Sequence, residues 1–336
     1  MQQIHALDNL LGVSLFGICF AGTLGNLWMI ITILRRTGDK VLQSVLLSQL
    51  STTDLVTCLI SAPFSAYVLV TNREEVKLTT AQANLLGFLG NLMPVMSLYL
   101  ILVICIARMV GIVKPLRYKS VITFKRLVII SLIFWTISTV YSALPFYFEK
   151  RYVFHRDTAS LTFSTSHIFL GVGEQYGKML TAIPIMIIDI PLFLVVLLLS
   201  IILYNLRQKG LQGSYLRREA SQTTLCIAVL FAVCYMPSGF LRFFFLLEHI
   251  GILPITVYPE STTQQRVFLY TFFLINTYTI TVNSFANPIL YYTRTCRRRG
   301  VQSNKATPSK WDGTTTSIAP NKRHIVALHR LSLSQR

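Results

Sequence analysis

Asn283-Ser284-Phe285-Ala286-Asn287-Pro288-Ile289-Leu290-Tyr291-Tyr292 decides how this chain is read. It closes the last of seven long stretches that are apolar and nearly free of charge. Two asparagines and a serine stand inside it, where lipid offers polar groups no partners. The hydropathy says what the chain lives in, and these polar residues say where it works.

The seven stretches fall at roughly 10–34, 44–70, 86–107, 127–148, 179–205, 220–245 and 267–293. About 20 apolar residues cross a bilayer as a helix. Helix is the spanning form expected here, because each segment must satisfy its own backbone hydrogen bonds in lipid. Mean hydropathy is +0.56. Hydrophobic residues make up 53% of the chain and charged residues 13%, well below the ~25% charged residues of a soluble domain. Seven such stretches in 336 residues set aside a soluble protein with fully buried helices. The expected fold class is an all-α membrane protein, a seven-transmembrane-helix bundle. The expected organisation is a short extracellular N-terminus over 1–9, a seven-transmembrane domain over 10–293, and a cytoplasmic, largely disordered tail over 294–336.

The net charge of +18 is unevenly placed. Arg35, Arg36 and Lys40 follow span 1. Arg108, Lys114, Arg117, Lys119, Lys125 and Arg126 follow span 3. Arg207, Lys209, Arg217 and Arg218 follow span 5, and the tail carries ten more. One side therefore holds 23 of the 31 Lys and Arg, and the other holds 8. The basic side is expected to be cytoplasmic, with the N-terminus outside, the tail inside, and anionic lipid headgroups attracted to the inner face. The basic balance is thus an orientation signal, and no nucleic-acid partner is expected. There is no basic start or cleavage site before span 1, so no cleaved signal peptide is expected, and no Asn-x-Ser/Thr sequon occurs.

Cys19, Cys58, Cys105, Cys226 and Cys234 lie inside spans, so no outer disulfide is expected. Cys296, beside Arg297-Arg298-Arg299, is placed for reversible palmitoylation; a plain exposed cysteine is the alternative. The segment after Gly300 is polar, without an apolar period, and reads as disordered. No internal repeat supports an inverted-repeat transporter. No metal-ligand cluster or nucleophile–base motif stands in the loops, so an enzyme is not expected.

Ionisable residues inside a span are costly and need a reason. Asp54 and Asp189 are such residues, joined by Asn26, Ser97, Asn283 and Asn287. Asp54, Asn26 and Asn287 sit at comparable depths, so one buried polar cluster is expected around Asp54. It serves either as hydrogen-bonded glue between helices or as a cation- or proton-binding switch. Prolines 63, 94, 145, 184, 191, 237 and 288 interrupt the spans. Each removes a backbone hydrogen bond, which builds in hinges.

Taken together, these residues resemble the rhodopsin-like (class A) G-protein-coupled receptors over about residues 10–300. The resemblance rests on Gly25-Asn26 in span 1 and Leu47-Ser48-Gln49-Leu50-Ser51-Thr52-Thr53-Asp54-Leu55 in span 2. It continues through Arg108 with Ile112-Val113-Lys114-Pro115-Leu116-Arg117-Tyr118, and Trp135 in span 4. It ends on Phe231-Ala232-Val233-Cys234-Tyr235-Met236-Pro237 in span 6 and Asn287-Pro288-Ile289-Leu290-Tyr291 in span 7. The resemblance implies a multi-pass receptor of the plasma membrane, with a ligand outside and a heterotrimeric G protein inside. It adds arrestin and receptor kinases as cytoplasmic partners. It implies a sodium and activation core of Asn26, Asp54, Ser97, Asn283, Ser284 and Asn287, and no cofactor beyond a sodium ion at Asp54. G-protein coupling and switching would fall to Arg108, Pro237, Pro288 and Tyr291.

The departures narrow the class. The acid before the family's arginine is Ala107, and the tyrosine after it is Met109. Arg217-Arg218 stand where span 6 often begins with an acidic partner. Ala83 replaces the outer cysteine of span 3, and the loop over 149–178 has none. Tyr235 replaces the usual tryptophan. Thr281 replaces the retinal-binding lysine, which disfavours photoreception, and Gly90 replaces the aspartate that anchors amines.

The ligand-pocket candidates are Asn91, Pro94, Tyr235, Arg242, Asn276 and Tyr278. Arg242 either snorkels to the outer interface or meets an acidic group on the ligand. A peptide is the first choice, because the second outer loop is long and polar. A lipid or carboxylate metabolite is the runner-up. The alternative from another class is a seven-helix ion or proton translocator relaying through Asp54 and Asp189.

Overall fold

Local backbone chemistry sets where these helices begin and end. The computed structural model describes residues 2–35, 41–70, 79–147, 183, 185–208, 215–252, 271 and 274–292. All of them lie in the first of two contact units, Met1–Arg294 and Thr295–Arg336. The segment 149–178 and the tail with Cys296 lie outside the described residues, as do the side chains of Ala83, Arg217, Arg218, Glu219 and Arg242.

Helix α1 runs Gln2–Leu34. The helix takes in most of the segment over 1–9, because no glycine or proline interrupts the chain before Gly12, and its apolar spanning stretch is Asn9–Leu34. Span 2 is α2 (Val41–Val56), a π turn (Thr57–Ser61) and α3 (Ala62–Val70). The wide turn, in which the Ala62 N–H bonds Thr57 O, directly precedes Pro63. A proline cannot donate and crowds the preceding turn, and a π turn is one way round it.

Helix α4, Thr80–Val113, is longer than the expected 86–107 at both ends. At its start Thr79 and Gln82 form a capping box: Thr79 Oγ1 accepts from the Gln82 N–H at 3.3 Å, and Gln82 Oε1 accepts from the Thr79 N–H at 3.0 Å. At its end Lys114 leaves the helical region (φ −129, ψ 69) because Pro115 follows it. A 3₁₀ turn, Pro115–Arg117, and a short α5, Tyr118–Val121, lead into α6, Phe124–Tyr147.

Span 5 is a π segment, Ile185–Asp189, continued by α7, Ile190–Gln208. Span 6 is α8, Tyr215–His249, with Pro237 inside it. It stops at Gly251, whose φ of +76 suits glycine, while the Ile252 N–H reaches back to Leu247 O at 2.9 Å. The last span is a helix, α9, over 274–292.

The described residues contain helices and turns and no strand. Among the described residues, five stretches are long and apolar enough to cross a membrane: Asn9–Leu34, Ser44–Tyr67, Asn84–Val113, Phe124–Leu144 and Ile185–Asn205. A shorter apolar stretch, Leu225–Pro237, lies within α8. Helix α4 touches α2, α6, α7 and α8, and every residue from Leu92 to Cys105 is buried. A helix apolar all round belongs at the centre. Helices α1, α6 and α7 expose large apolar side chains such as Phe20, Leu132 and Phe193, which lipid covers at no hydrophobic cost. The outward hydroxyls of Thr52, Thr136 and Ser200 bond carbonyls four residues back in their own helices, which spares them a search for partners in lipid.

Candidate functional site

Asp54, on α2, is only 1% exposed. Its two oxygens are divided between two donors on α9. Ser284 Oγ donates to Oδ1 at 3.0 Å and Asn287 Nδ2 donates to Oδ2 at 2.8 Å. Both donors are neutral. A buried carboxylate with neutral donors only is expensive to keep in a membrane, so the arrangement ties span 2 to span 7 at a site ready to respond to a cation or a proton.

The neighbouring polar groups extend this core to four spans. Asn26 Nδ2 donates to Gly22 O at 2.9 Å and to Ser284 O at 3.0 Å, binding α1 to α9. Thr53 Oγ1 and Ser97 Oγ share a hydrogen bond of 2.8 Å, binding α2 to α4. Ser97 also lies within reach of the Asp54 carboxylate. Asn283 is wholly buried, yet neither its Nδ2 nor its Oδ1 has a protein partner, and the same holds for Asn26 Oδ1 and Asn287 Oδ1. Each unmet buried polar atom costs roughly 1–3 kcal/mol, so these atoms call for a water or an ion. Because both ends of the Asn283 amide are unmet, the choice of amide orientation does not alter this conclusion. The unmet oxygens of Asn283 and Asn287, with the Asp54 carboxylate and the Ser97 hydroxyl, are types that suit a hard cation such as sodium. Asp54, Ser97, Asn283 and Asn287 are the residues that would hold it.

Close helix approach makes these contacts geometrically feasible. A Cβ on Gly25 would lie 3.0 Å from Pro288 Cβ, and one on Gly22 would lie 2.6 Å from Cys58 Sγ. Small residues at both positions let α1 pack directly on spans 2 and 7. Below them, Trp28 meets Tyr292 edge to face at 5.2 Å.

A family model described as 7 transmembrane receptor (rhodopsin family) matches residues 25–291. The chain belongs to that family. No curated protein matches it. Membership makes it a multi-pass membrane receptor that transduces signals through G proteins. The matched segment begins at Gly25 and ends at Tyr291, so it spans the whole polar core.

The receptor's remaining candidate residues go separate ways. Ala107 is buried and the adjacent Arg108 half-buried near the foot of α4. Pro288 is buried against Gly25, Pro237 is exposed on α8, and Tyr291 is half-buried. Among the pocket candidates, Tyr235 is buried and stacks on Phe231 at 4.1 Å. Pro94 is buried within α4, and Asn276 is half-buried on α9. Asn91 Nδ2 turns back onto Gly87 O at 3.1 Å. Tyr278 is engaged with α1: its hydroxyl donates to Leu11 O and shares a 2.6 Å hydrogen bond with Ser14 Oγ. That hydroxyl thus holds span 7 to span 1.

Two groups escape the sequence reading. Tyr99 donates its hydroxyl to Ile187 O across spans 3 and 5. Leu116, 98% exposed, stands out from the 3₁₀ turn after α4 among basic residues. A leucine placed directly after Pro115 in a basic loop was the available signal for the second.

Proposed function

We propose that this receptor sits in the plasma membrane with its N-terminus outside and its tail inside, and that it activates a heterotrimeric G protein when a peptide binds from outside. The supporting feature for the orientation is the uneven basic charge, and for a peptide it is the long polar segment over 149–178. The carrying observation for the mechanism is the Asp54 carboxylate, divided between Ser284 and Asn287 on span 7. Movement of span 7 against span 2 must break or exchange those two bonds. The Asn26 and Thr53–Ser97 contacts would be redrawn with them. A polar core with unmet atoms has alternative pairings close in energy, which is what a two-state element needs. Sodium bound at Asp54 would favour the resting pairing by supplying the charge that neutral donors lack.

On the inner face, Leu116 offers an apolar contact ringed by Lys114, Arg117 and Lys119. That combination suits a partner with an apolar pocket and an acidic rim, and we assign this loop to G-protein contact beside Arg108. Arrestin, receptor kinases and anionic lipids would meet the same basic face.

A ligand screen on cells expressing the full chain, read with a panel of G proteins, tests the reading. A peptide that raises nucleotide exchange in one G-protein class is the expected result. Epitope tags at each end, stained without permeabilisation, test the orientation separately, and a tail tag visible on intact cells would refute it.

A further inference from the structure

We propose that Tyr278 is a positioning residue for signalling: its hydroxyl latches the outer end of span 7 to α1 in the resting receptor, and span 7 shifts against Asp54 only when that latch opens. The role rests on the two-state core proposed above. It adds a second point, away from the core, at which the resting state is held.

The latch is built on one carbonyl. Leu11 O accepts from the Tyr278 hydroxyl, and from Ser14 Oγ at 2.8 Å, while Ser14 Oγ and the Tyr278 hydroxyl share a bond of 2.6 Å. The Tyr278 ring, like Leu274, packs on Leu15, Cys19, Ala62 and Ala66, the apolar seam between α1 and span 2. Spans 1 and 2 are thus the frame, and Tyr278 is where span 7 grips it.

A stiff rod joins this latch to the core. Tyr278 and Ser284 are six residues apart on α9, about 9 Å along its axis. No glycine or proline stands between Tyr278 and Asn287. The Thr279 and Thr281 hydroxyls bond Asn276 O and Thr277 O at 3.1 and 2.7 Å within the same helix. Pro288, the first break in the rod, lies beyond the core. Ser284 and Asn287 therefore leave Asp54 only by carrying Tyr278 off Leu11.

Depth makes the tie reversible. Leu11 stands two residues inside the apolar stretch that begins at Asn9, Ser14 is exposed and Tyr278 is half-buried. Interfacial water can replace the bonds that the opened latch gives up, a replacement scarce in the middle of the bilayer. The latch is thus the tie that an event on the outer face can throw, and the core transmits the result inward.

The test uses the full-length receptor in lipid nanodiscs, without ligand. Nucleotide exchange is read per receptor against a panel of heterotrimeric G proteins. In parallel, spin labels at Leu34→Cys on α1 and Ile289→Cys on α9, both exposed positions, report the distance between spans 1 and 7, with Cys226 and Cys296 changed to alanine. Tyr278→Phe removes the hydroxyl and keeps the ring in its seam. One hydrogen bond between membrane helices changes a two-state ratio about threefold, so exchange and the displaced distance population should each rise by that factor. Ser14→Ala leaves the Tyr278–Leu11 bond and should raise them less. An unchanged distance distribution in Tyr278→Phe overturns the latch. So does a fall in exchange with a lowered Tm, the mark of a tyrosine that only supports the fold. A displaced population that grows while no G protein responds to native or variant chain upholds the latch and refutes the transducer reading instead.

Discussion

Tyr99, on α4, donates its hydroxyl to the carbonyl of Ile187 at 3.0 Å. Ile187 lies four residues before Pro191, the distance at which a helical N–H would ordinarily bond that carbonyl. Proline has no N–H to give. The chain opens into a π segment there, and a side chain from span 3 supplies the missing donor. The Tyr99 ring is fixed for the task by stacking on Phe134 of α6 at 4.4 Å.

Tyr99→Phe keeps the stack and removes only the donor. Hydrogen bonds between membrane helices average about 0.6 kcal/mol, and an unmet buried carbonyl raises the cost toward ~1–2 kcal/mol. The variant in detergent should melt several degrees below the native receptor. An unchanged Tm would mean that the π segment satisfies Ile187 O by itself.

Sodium is expected to stabilise the receptor through Asp54. The carboxylate has two neutral donors, and Asn283 and Asn287 leave oxygens unmet beside it. A ligand that binds only the folded state raises Tm with its concentration. The rise on exchanging choline for sodium should appear in the native chain and vanish in Asp54→Asn, which keeps the shape and removes the charge. An equal rise in the variant would point to a protonated, neutral Asp54 and a purely structural role.

The two glycines of α1 should respond unequally to alanine. At Gly22 the obstacle is Cys58 Sγ at 2.6 Å, the tip of a side chain that can rotate. At Gly25 it is the Pro288 ring, with Cβ at 3.0 Å and Cγ at 3.2 Å, and a ring closed onto the backbone cannot step aside. Overpacking costs about 1–3 kcal/mol. Gly25→Ala should fall toward the upper end, with reduced surface expression. Gly22→Ala should be milder and should recover in Gly22→Ala/Cys58→Ala. Failure of that double variant to recover would mean that the Cys58 thiol is not what resists the added methyl, since the other neighbour, Phe285 Cα, lies at an ordinary contact distance of 3.5 Å.

The polar core was legible in the sequence because its chemistry is conspicuous. Asp54, Asn26, Ser284 and Asn287 are polar residues in apolar runs, where each needs a partner, and they find one another. The ends of α4 escaped the reading by hydropathy, which draws the span six residues short at each end; Thr79 with Gln82 and Lys114-Pro115 were the signals that mark them. Hydropathy measures what lipid tolerates, and a capping box continues a helix past that limit. Tyr99 and Tyr278 were not legible. Their partners are backbone carbonyls on other helices, and a carbonyl leaves no mark in the sequence. Gly22 is similar: its role depends on the cysteine of a neighbouring span, which only packing brings opposite.

Basal activity follows from what stands beside Arg108. The family resemblance places an acid immediately before this arginine, and here that residue is Ala107, buried and without a side-chain acceptor. A partly buried charge pair contributes roughly 1–3 kcal/mol to the state that contains it. Its loss should shift the two-state balance toward the signalling form, by about tenfold for each 1.4 kcal/mol. The native receptor should therefore produce second messenger without ligand, in proportion to its expression. Ala107→Asp should lower that output by placing a carboxylate beside the guanidinium. Surface expression measured in parallel separates a lower basal rate from a lower receptor count. Native output equal to that of mock-transfected cells, together with no fall in Ala107→Asp, would show that other contacts hold Arg108 in the resting state.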